Sequence, residues 1–273
     1  EGNIRSYTPY NPWNIIAENE FVAGGFIWSG VDYLGEAASR ESHGWPNGLF
    51  DICMFEKPRA AYHRAMWNNK PLVSIAFLDP SLDIDHGRDW PKMASHWNLP
   101  RTYFGQVIQV CTITNCEEVE MFMNGKSMGK QKTADFTNNT IIWNIPYRPG
   151  TLEAKGYNDG KEVAAYQLAT SKDTDSLTLT PDRTMIKADG QDLSHIAIQL
   201  YDEDGKPVQT DDKELTVTVE GDGRFLGIDN GDLRRKNSFS GNRLKTYFGR
   251  ALVVVQSLRK AGTMTVSVKM EGK

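Results

Sequence analysis

A chain of 273 residues, 39 % hydrophobic and 24 % charged, has the composition of an ordinary globular protein of one to three domains. A net charge of -4 argues against a polyanion-binding protein. No run approaches the roughly 18 apolar residues of a membrane helix, and three cysteines are too few for a disulfide scaffold.

Residues 1–20 begin rich in Pro, Asn and Tyr and then turn helical in pattern. Pro12 suits a first helical turn with Asn11 as cap. Trp13, Ile16 and Ala17 then share one face. No signal peptide is read at the start, which says nothing about destination. The next stretch, FVAGGFIWSGVDYLGE from Phe21 to Glu36, opens as an apolar run that predicts a strand buried on both faces, as in a parallel sheet. It turns polar at its C-terminal end, with Trp28, Ser29, Asp32, Tyr33 and Glu36. In α/β barrels that end handles substrates, and an aromatic with two carboxylates suits a sugar subsite. A core strand followed by an ordinary loop fits the same residues.

Residues 37–57 read as a long loop, and Arg59 to Trp67, after Pro58, as a helix. Lys70-Pro71 marks a boundary. Beyond it the short runs VSIAF, VIQVCTIT, EVEMFM, TIIWNIPY and TLEAKGY are β-branched and aromatic. Asn124-Gly125 and Asp159-Gly160 are two-residue hairpin turns. Strands with such turns and no helices predict a sandwich ending near Ser171. SKDTDS, 171–176, reads as a polar linker. LTLTP, HIAIQLYD, ELTVTVEG, ALVVVQS and TMTVSVKM then alternate, with a turn at Asp204-Gly205. About 100 residues with roughly seven strands is the size of an immunoglobulin-like domain.

Several weaker signals have plain readings. Cys53 reads as a buried thiol. Cys111 and Cys116 fall on a strand and its turn, with no pairing required. Asp83, Asp85, His86 and Asp89 offer metal-like ligands, but the spacing matches no calcium loop. His43 and His96 read as structural. Arg234, Arg235, Lys236, Arg243 and Lys245 near Phe239 and Tyr247 could suggest nucleic acid, against which stands a hairpin setting in an acidic chain. Asn138-Asn139-Thr140 matches a glycosylation acceptor and is read as chance. Trp90 and Trp97 fit a glycan platform or, more simply, edge packing. Asn19-Glu20 reads as a solvated helix end.

GGFIWSGVDYLGE closely resembles the end of the catalytic barrel in glycoside hydrolase family 2, the β-galactosidase and β-glucuronidase family. The resemblance continues through GWPNGLFDICMFEKPRAAYHRAMW, MASHWN, TNCEEVEMFMNGKSMG, PGTLEAKGYNDGKEV, IKADGQDLSHIAIQLYDEDG and GIDNGDL, in the family's order. It implies a mainly β chain, the tail of a (β/α)8 barrel followed by two immunoglobulin-like β-sandwich domains. The expected modules are 1–70 (barrel end), 71–172 (sandwich) and 173–273 (C-terminal immunoglobulin-like sandwich). It implies that Trp28 lines the pocket for the terminal sugar. Asp32 and Glu36 either bind sugar hydroxyls or brace the loop.

Retaining glycosidases use two carboxylates. In the family these follow the fourth and seventh barrel strands, upstream of this chain. No catalytic residue is therefore assigned, Glu1 being unsupported by any motif. The implied function is part of an exo-acting β-galactosidase-like hydrolase, itself inactive. The alternative is a non-catalytic carbohydrate-binding or cell-surface module. Carbohydrate is the expected partner, with no nucleic acid, membrane, metal or cofactor. Self-association stays open, and a periplasmic or extracellular location is implied by the family.

Overall fold

The computed structural model describes residues 12–78 and 92–272. They fall into two compact units: residues 12–38, 44–51, 56–78 and 92–170 belong to the first, and 39–43, 52–55 and 171–272 to the second. Asn11, Glu1, the 83–89 acidic cluster and Trp90 lie outside the described residues.

In the first unit α1 (Pro12–Glu18) is followed by β1 (Tyr33–Leu34), β2 (Gly44–Trp45) and α2 (Ala60–Trp67). The strands β3 (Val73–Leu78), β4 (Met93–Ala94), β5 (Val107–Thr114), β6 (Glu118–Met123), β7 (Lys126–Lys132), β8 (Thr140–Pro146), β9 (Thr151–Asn158) and β10 (Lys161–Ala169) follow. They form two antiparallel sheets, in the orders β4-β3-β5-β8 and β10-β9-β6-β7. Val73, Ile75, Phe77, Val110, Ile141 and Trp143 of the first sheet meet Val119, Met121, Leu152 and Ala154 of the second. Alternation puts every second side chain of a strand into that core.

Strand β5 departs from alternation because both of its faces are covered. Ile108 and Val110 enter the sandwich core. Cys111 and Ile113 join Ala76 and Met93 beneath Ala61, Tyr62 and Ala65 of α2. This explains the nearly continuous apolar run VIQVCTIT. It also shows how α2 buries its apolar stripe.

Asn124 and Gly125 have φ of 50° and 76°, and Asp159 and Gly160 have 49° and 71°. All four take the left-handed conformation that such hairpin turns require. Asn124 Oδ1 also accepts from Thr151 N at 2.8 Å.

The second unit contains β11 (Ser176–Pro181), β12 (Leu193–Tyr201), β13 (Glu214–Gly221), β14 (Gly223–Asp229), β15 (Arg243–Lys245), β16 (Arg250–Ser257) and β17 (Met264–Met270). The sheets run β11-β12-β16-β14 and β15-β13-β17. Ile196, Ile198, Leu200, Val253 and Val255 pack with Leu215, Val217, Leu244 and Met270 to form its core. The polar stretch 171–176 is tied down in this unit at Lys172 and Thr174. Lys172 N donates to Asp202 at 2.9 Å and Thr174 N to Asp211 at 2.8 Å. Two loop segments belong to the same unit. His43 N donates to Leu233 O at 2.8 Å, and the Arg250 guanidinium lies 4.7 Å from the Phe55 ring.

One expected element is absent. Residues 21–28 form no strand, and Phe21 and Phe26 are exposed. A strand needs neighbours to take its N–H and C=O groups, and no described strand pairs with this run. Composition alone predicts a buried strand, but pairing decides whether one forms.

Candidate functional site

The end of that run, residues 28–36, meets the loop 44–50. Leu49 N and Phe50 N donate to Gly30 O at 2.9 and 3.1 Å, and Asp32 N donates to Phe50 O at 2.9 Å. Tyr33 pairs with Trp45 and Leu34 with Gly44 in the β1–β2 ladder. These contacts fix a short polar shelf, and Trp28 projects from it.

Trp28 is 73 % exposed in this chain. Its Nε1–H donates to Tyr33 Oη at 3.2 Å, and Tyr33 Oη–H donates to Glu36 Oε2 at 3.0 Å. The Trp28 and Tyr33 rings meet edge to face at 5.9 Å and 72°. The Asn47 amide donates to Trp28 O. The result is an open indole face flanked by a phenol, a carboxylate and an amide. An indole face offers an apolar surface for the C–H face of a pyranose, while the polar groups beside it suit hydroxyls.

Asp32 is buried and faces inward. Its Oδ2 lies 2.5 Å from Lys57 Nζ, and its Oδ1 accepts from Gly48 N at 2.7 Å. These contacts brace the loop. Burial pushes its carboxyl above the usual carboxylate range, with Lys57 and the Gly48 N–H pulling it back. Burial likewise pulls the Lys57 ammonium down, against the Asp32 charge. Arg59, also buried, donates through Nε to Gly48 O at 2.9 Å and through Nη2 to Pro46 O at 2.7 Å. Its guanidinium is lowered to about 10 by burial. Glu36 stays exposed and touches Tyr33.

The structure thus brings Trp28 and Glu36 together through Tyr33 and sets Asp32 beneath them. Sequence reasoning missed Asn47, Lys57 and Arg59. The available signal was a Pro46-Asn47-Gly48 turn signature, with two cations flanking Pro58.

The weaker candidates resolve into structural roles. Trp97 is fully buried, donates to Arg148 O at 3.0 Å and packs on Tyr147 and Phe77. Arg235 pairs with Asp229 at 2.7 Å, Arg234 with Asp232 at 3.3 Å, and Arg243 with Glu271. Three of the five basic residues are therefore neutralised locally. Asn138 is buried, which denies the acceptor motif the access glycosylation needs. Asn19 folds back on Ile15 O at 2.7 Å at the end of α1, as a helix end. Cys53, Cys111 and Cys116 are free and buried. No group of metal-ligating side chains occurs among the described residues.

Residues 177–273 match the glycoside hydrolase family 2 C-terminal domain 5, and residues 105–164 match a domain of unknown function. The β-galactosidase BoGH2A of Bacteroides ovatus is 30 % identical over 264 residues, covering 94 % of this chain and 28 % of that protein. A putative β-glucuronidase of Formosa agariphila is 26 % identical over 270 residues, covering 94 % of this chain and 24 % of that protein. Among solved structures, a glycosyl hydrolase family 2 member from Bacteroides cellulosilyticus superposes with a TM-score of 0.85 at 34 % identity, over 95 % of this chain and 34 % of that one. A β-glycosidase from Bacteroides vulgatus gives 0.77 at 29 % identity, over 89 % of this chain and 29 % of that one.

The fold and these matches define a β-sandwich portion of a glycoside hydrolase. The chain belongs to glycoside hydrolase family 2 and corresponds to its C-terminal portion. It spans about a quarter to a third of the length of the relatives it matches.

Proposed function

We propose that this chain is part of a retaining exo-glycosidase that removes terminal β-galactosides during glycan breakdown. In this reading residues 1–70 complete the catalytic barrel, and 71–172 and 173–273 are accessory sandwiches. The catalytic carboxylates come from upstream, so the chain alone does not turn over. Trp28 stacks on the terminal sugar, with Glu36 at its hydroxyls. The observation that carries the reading is the exposed Trp28 indole with Tyr33 and Glu36 hydrogen-bonded in series beside it.

The charges around Trp28 favour a neutral sugar over a uronic acid. The groups hydrogen-bonded around the indole are a phenol, an amide and the Glu36 carboxylate. Lys57 and Arg59 are committed to Asp32 and to the carbonyls of Pro46 and Gly48. A glucuronide carboxylate about 4 Å from Glu36 would meet a repulsion of about 1 kcal/mol in water, rising to about 4 kcal/mol near a protein surface. A galactoside meets none. The reading extends to an exported location, periplasmic or extracellular, on the family resemblance alone.

The test compares this chain with the protein extended upstream through a full barrel, on aryl β-galactoside and aryl β-glucuronide. Turnover of the galactoside by the extended protein only is the expected result. Faster turnover of the glucuronide overturns the specificity. Turnover by this chain alone overturns the account of where the carboxylates lie. Glycan binding without hydrolysis by either protein would favour a carbohydrate-binding module.

A further inference from the structure

Among the described residues two hydrogen bonds reach Trp28. One is its own indole N–H to Tyr33, and the other is the Asn47 amide to its carbonyl oxygen. The chain before it, residues 22–27, forms no helix or strand, so these two hydrogen bonds, with the Tyr33 ring contact, hold Trp28 on the paired backbone that follows it.

Asn47 itself is held unusually well. The carbonyls on either side of it, of Pro46 and Gly48, both accept from the buried Arg59 guanidinium at 2.7 and 2.9 Å. Gly48 sits so close to the opposite backbone that a Cβ there would lie 2.1 Å from Asp32 N. Its N–H is taken by Asp32, which Lys57 holds in turn. The backbone that presents Asn47 is therefore fixed from below by three buried or half-buried charged side chains.

We propose that Asn47 is a positioning residue for Trp28, fixing through the Trp28 carbonyl the angle at which the indole face meets the sugar. The Arg59–Asp32–Lys57 cluster is what keeps Asn47 in place. This rests on the reading that Trp28 stacks on substrate. A platform held at one angle loses less freedom when the sugar docks, so its effect is on binding.

The experiment is a double-mutant cycle in the protein extended through its full barrel, read as kcat and KM on an aryl β-galactoside. Asn47→Asp keeps the shape and removes the donor, while Asn47→Ala removes the amide. Each is expected to raise KM about fivefold, the effect of one neutral hydrogen bond, with kcat within about twofold and an unchanged unfolding midpoint. Trp28→Ala is expected to raise KM further, and adding Asn47→Asp to it should change nothing more.

If Trp28→Ala leaves KM unchanged, the stacking reading falls and this inference with it. If Trp28→Ala raises KM while neither Asn47 variant does, only the role of Asn47 is overturned. If the Asn47→Asp effect persists in full without Trp28, Asn47 touches the sugar itself and positioning is overturned. A lowered unfolding midpoint with unchanged KM makes Asn47 merely structural, which also overturns it.

Discussion

Lys57 Nζ lies 2.5 Å from Asp32 Oδ2, in an ion pair whose carboxylate side chain is only 3 % exposed. Removing one partner leaves the other buried and unpaired, which costs far more than the pair contributes. Lys57→Met should therefore destabilise the first unit by about 3 kcal/mol. The double variant Asp32→Asn/Lys57→Met should recover most of that loss. Denaturant unfolding of the single and double variants checks this, and equal losses in both would contradict it.

His96 contributes to acid sensitivity. Burial lowers its imidazole to about 4, below the ordinary 6.5. Its Nδ1 accepts from Asn98 N at 3.3 Å, and Phe77 meets its ring edge-on. The fold thus holds the neutral form, while the unfolded chain takes up a proton below about 6.5. Stability from this group is complete above that value and falls as pH drops toward 4. The loss is about 3 kcal/mol at most, at 1.36 kcal/mol per unit. Unfolding midpoints from pH 7 to pH 4 should drop less steeply in His96→Phe.

Gly48 and Gly125 should differ in cost. A Cβ at Gly48 would strike the backbone at Asp32 and Val31, which cannot yield without breaking the loop pairing. At Gly125 there is open space, and only the φ of 76° resists substitution. Gly125→Ala should cost about 1 kcal/mol. Gly48→Ala should cost more than about 2 kcal/mol, as overpacking against rigid atoms does. Thermal denaturation of both variants would show the order.

Thiol chemistry should be silent in the native state. Cys53, Cys111 and Cys116 are all buried, and burial pushes the Cys111 thiol up to about 12. Reactivity follows the thiolate and its access. Iodoacetamide at pH 8 is expected to label none of the three in native protein and all three in denaturant, as read by mass spectrometry.

The β elements were legible because alternation and turn chemistry are local. β12 alternates along its whole length, and Asn124-Gly125 announces its own turn. The helix Ala60–Trp67 was legible too, from its spacing after Pro58. What covers that helix was not, because nothing in Ala61 or Tyr62 says that Cys111 and Ile113 lie opposite. The run 21–28 misled for the same reason, since its composition cannot reveal whether neighbouring strands are present.

At the site, Trp28 stood out by residue type. Asp32 could not be divided between sugar and scaffold until Lys57, distant in sequence, was seen beside it. Asn47 gave no warning, because an Asn-Gly pair reads as a turn whatever its side chain holds.

The double coverage of β5 sets where this protein can be recombined. A crossover at residue 70, between the helix and the sandwich, would strip α2 from the sheet and leave Cys111 and Ile113 facing water. A crossover at Thr170 would cut neither the sandwich core nor the helix-covered face. Evolution or engineering that exchanges accessory modules should therefore keep α2 and the first sandwich as one inherited block and graft after it, with segments 39–43 and 52–55 exchanged alongside because they belong to the second unit.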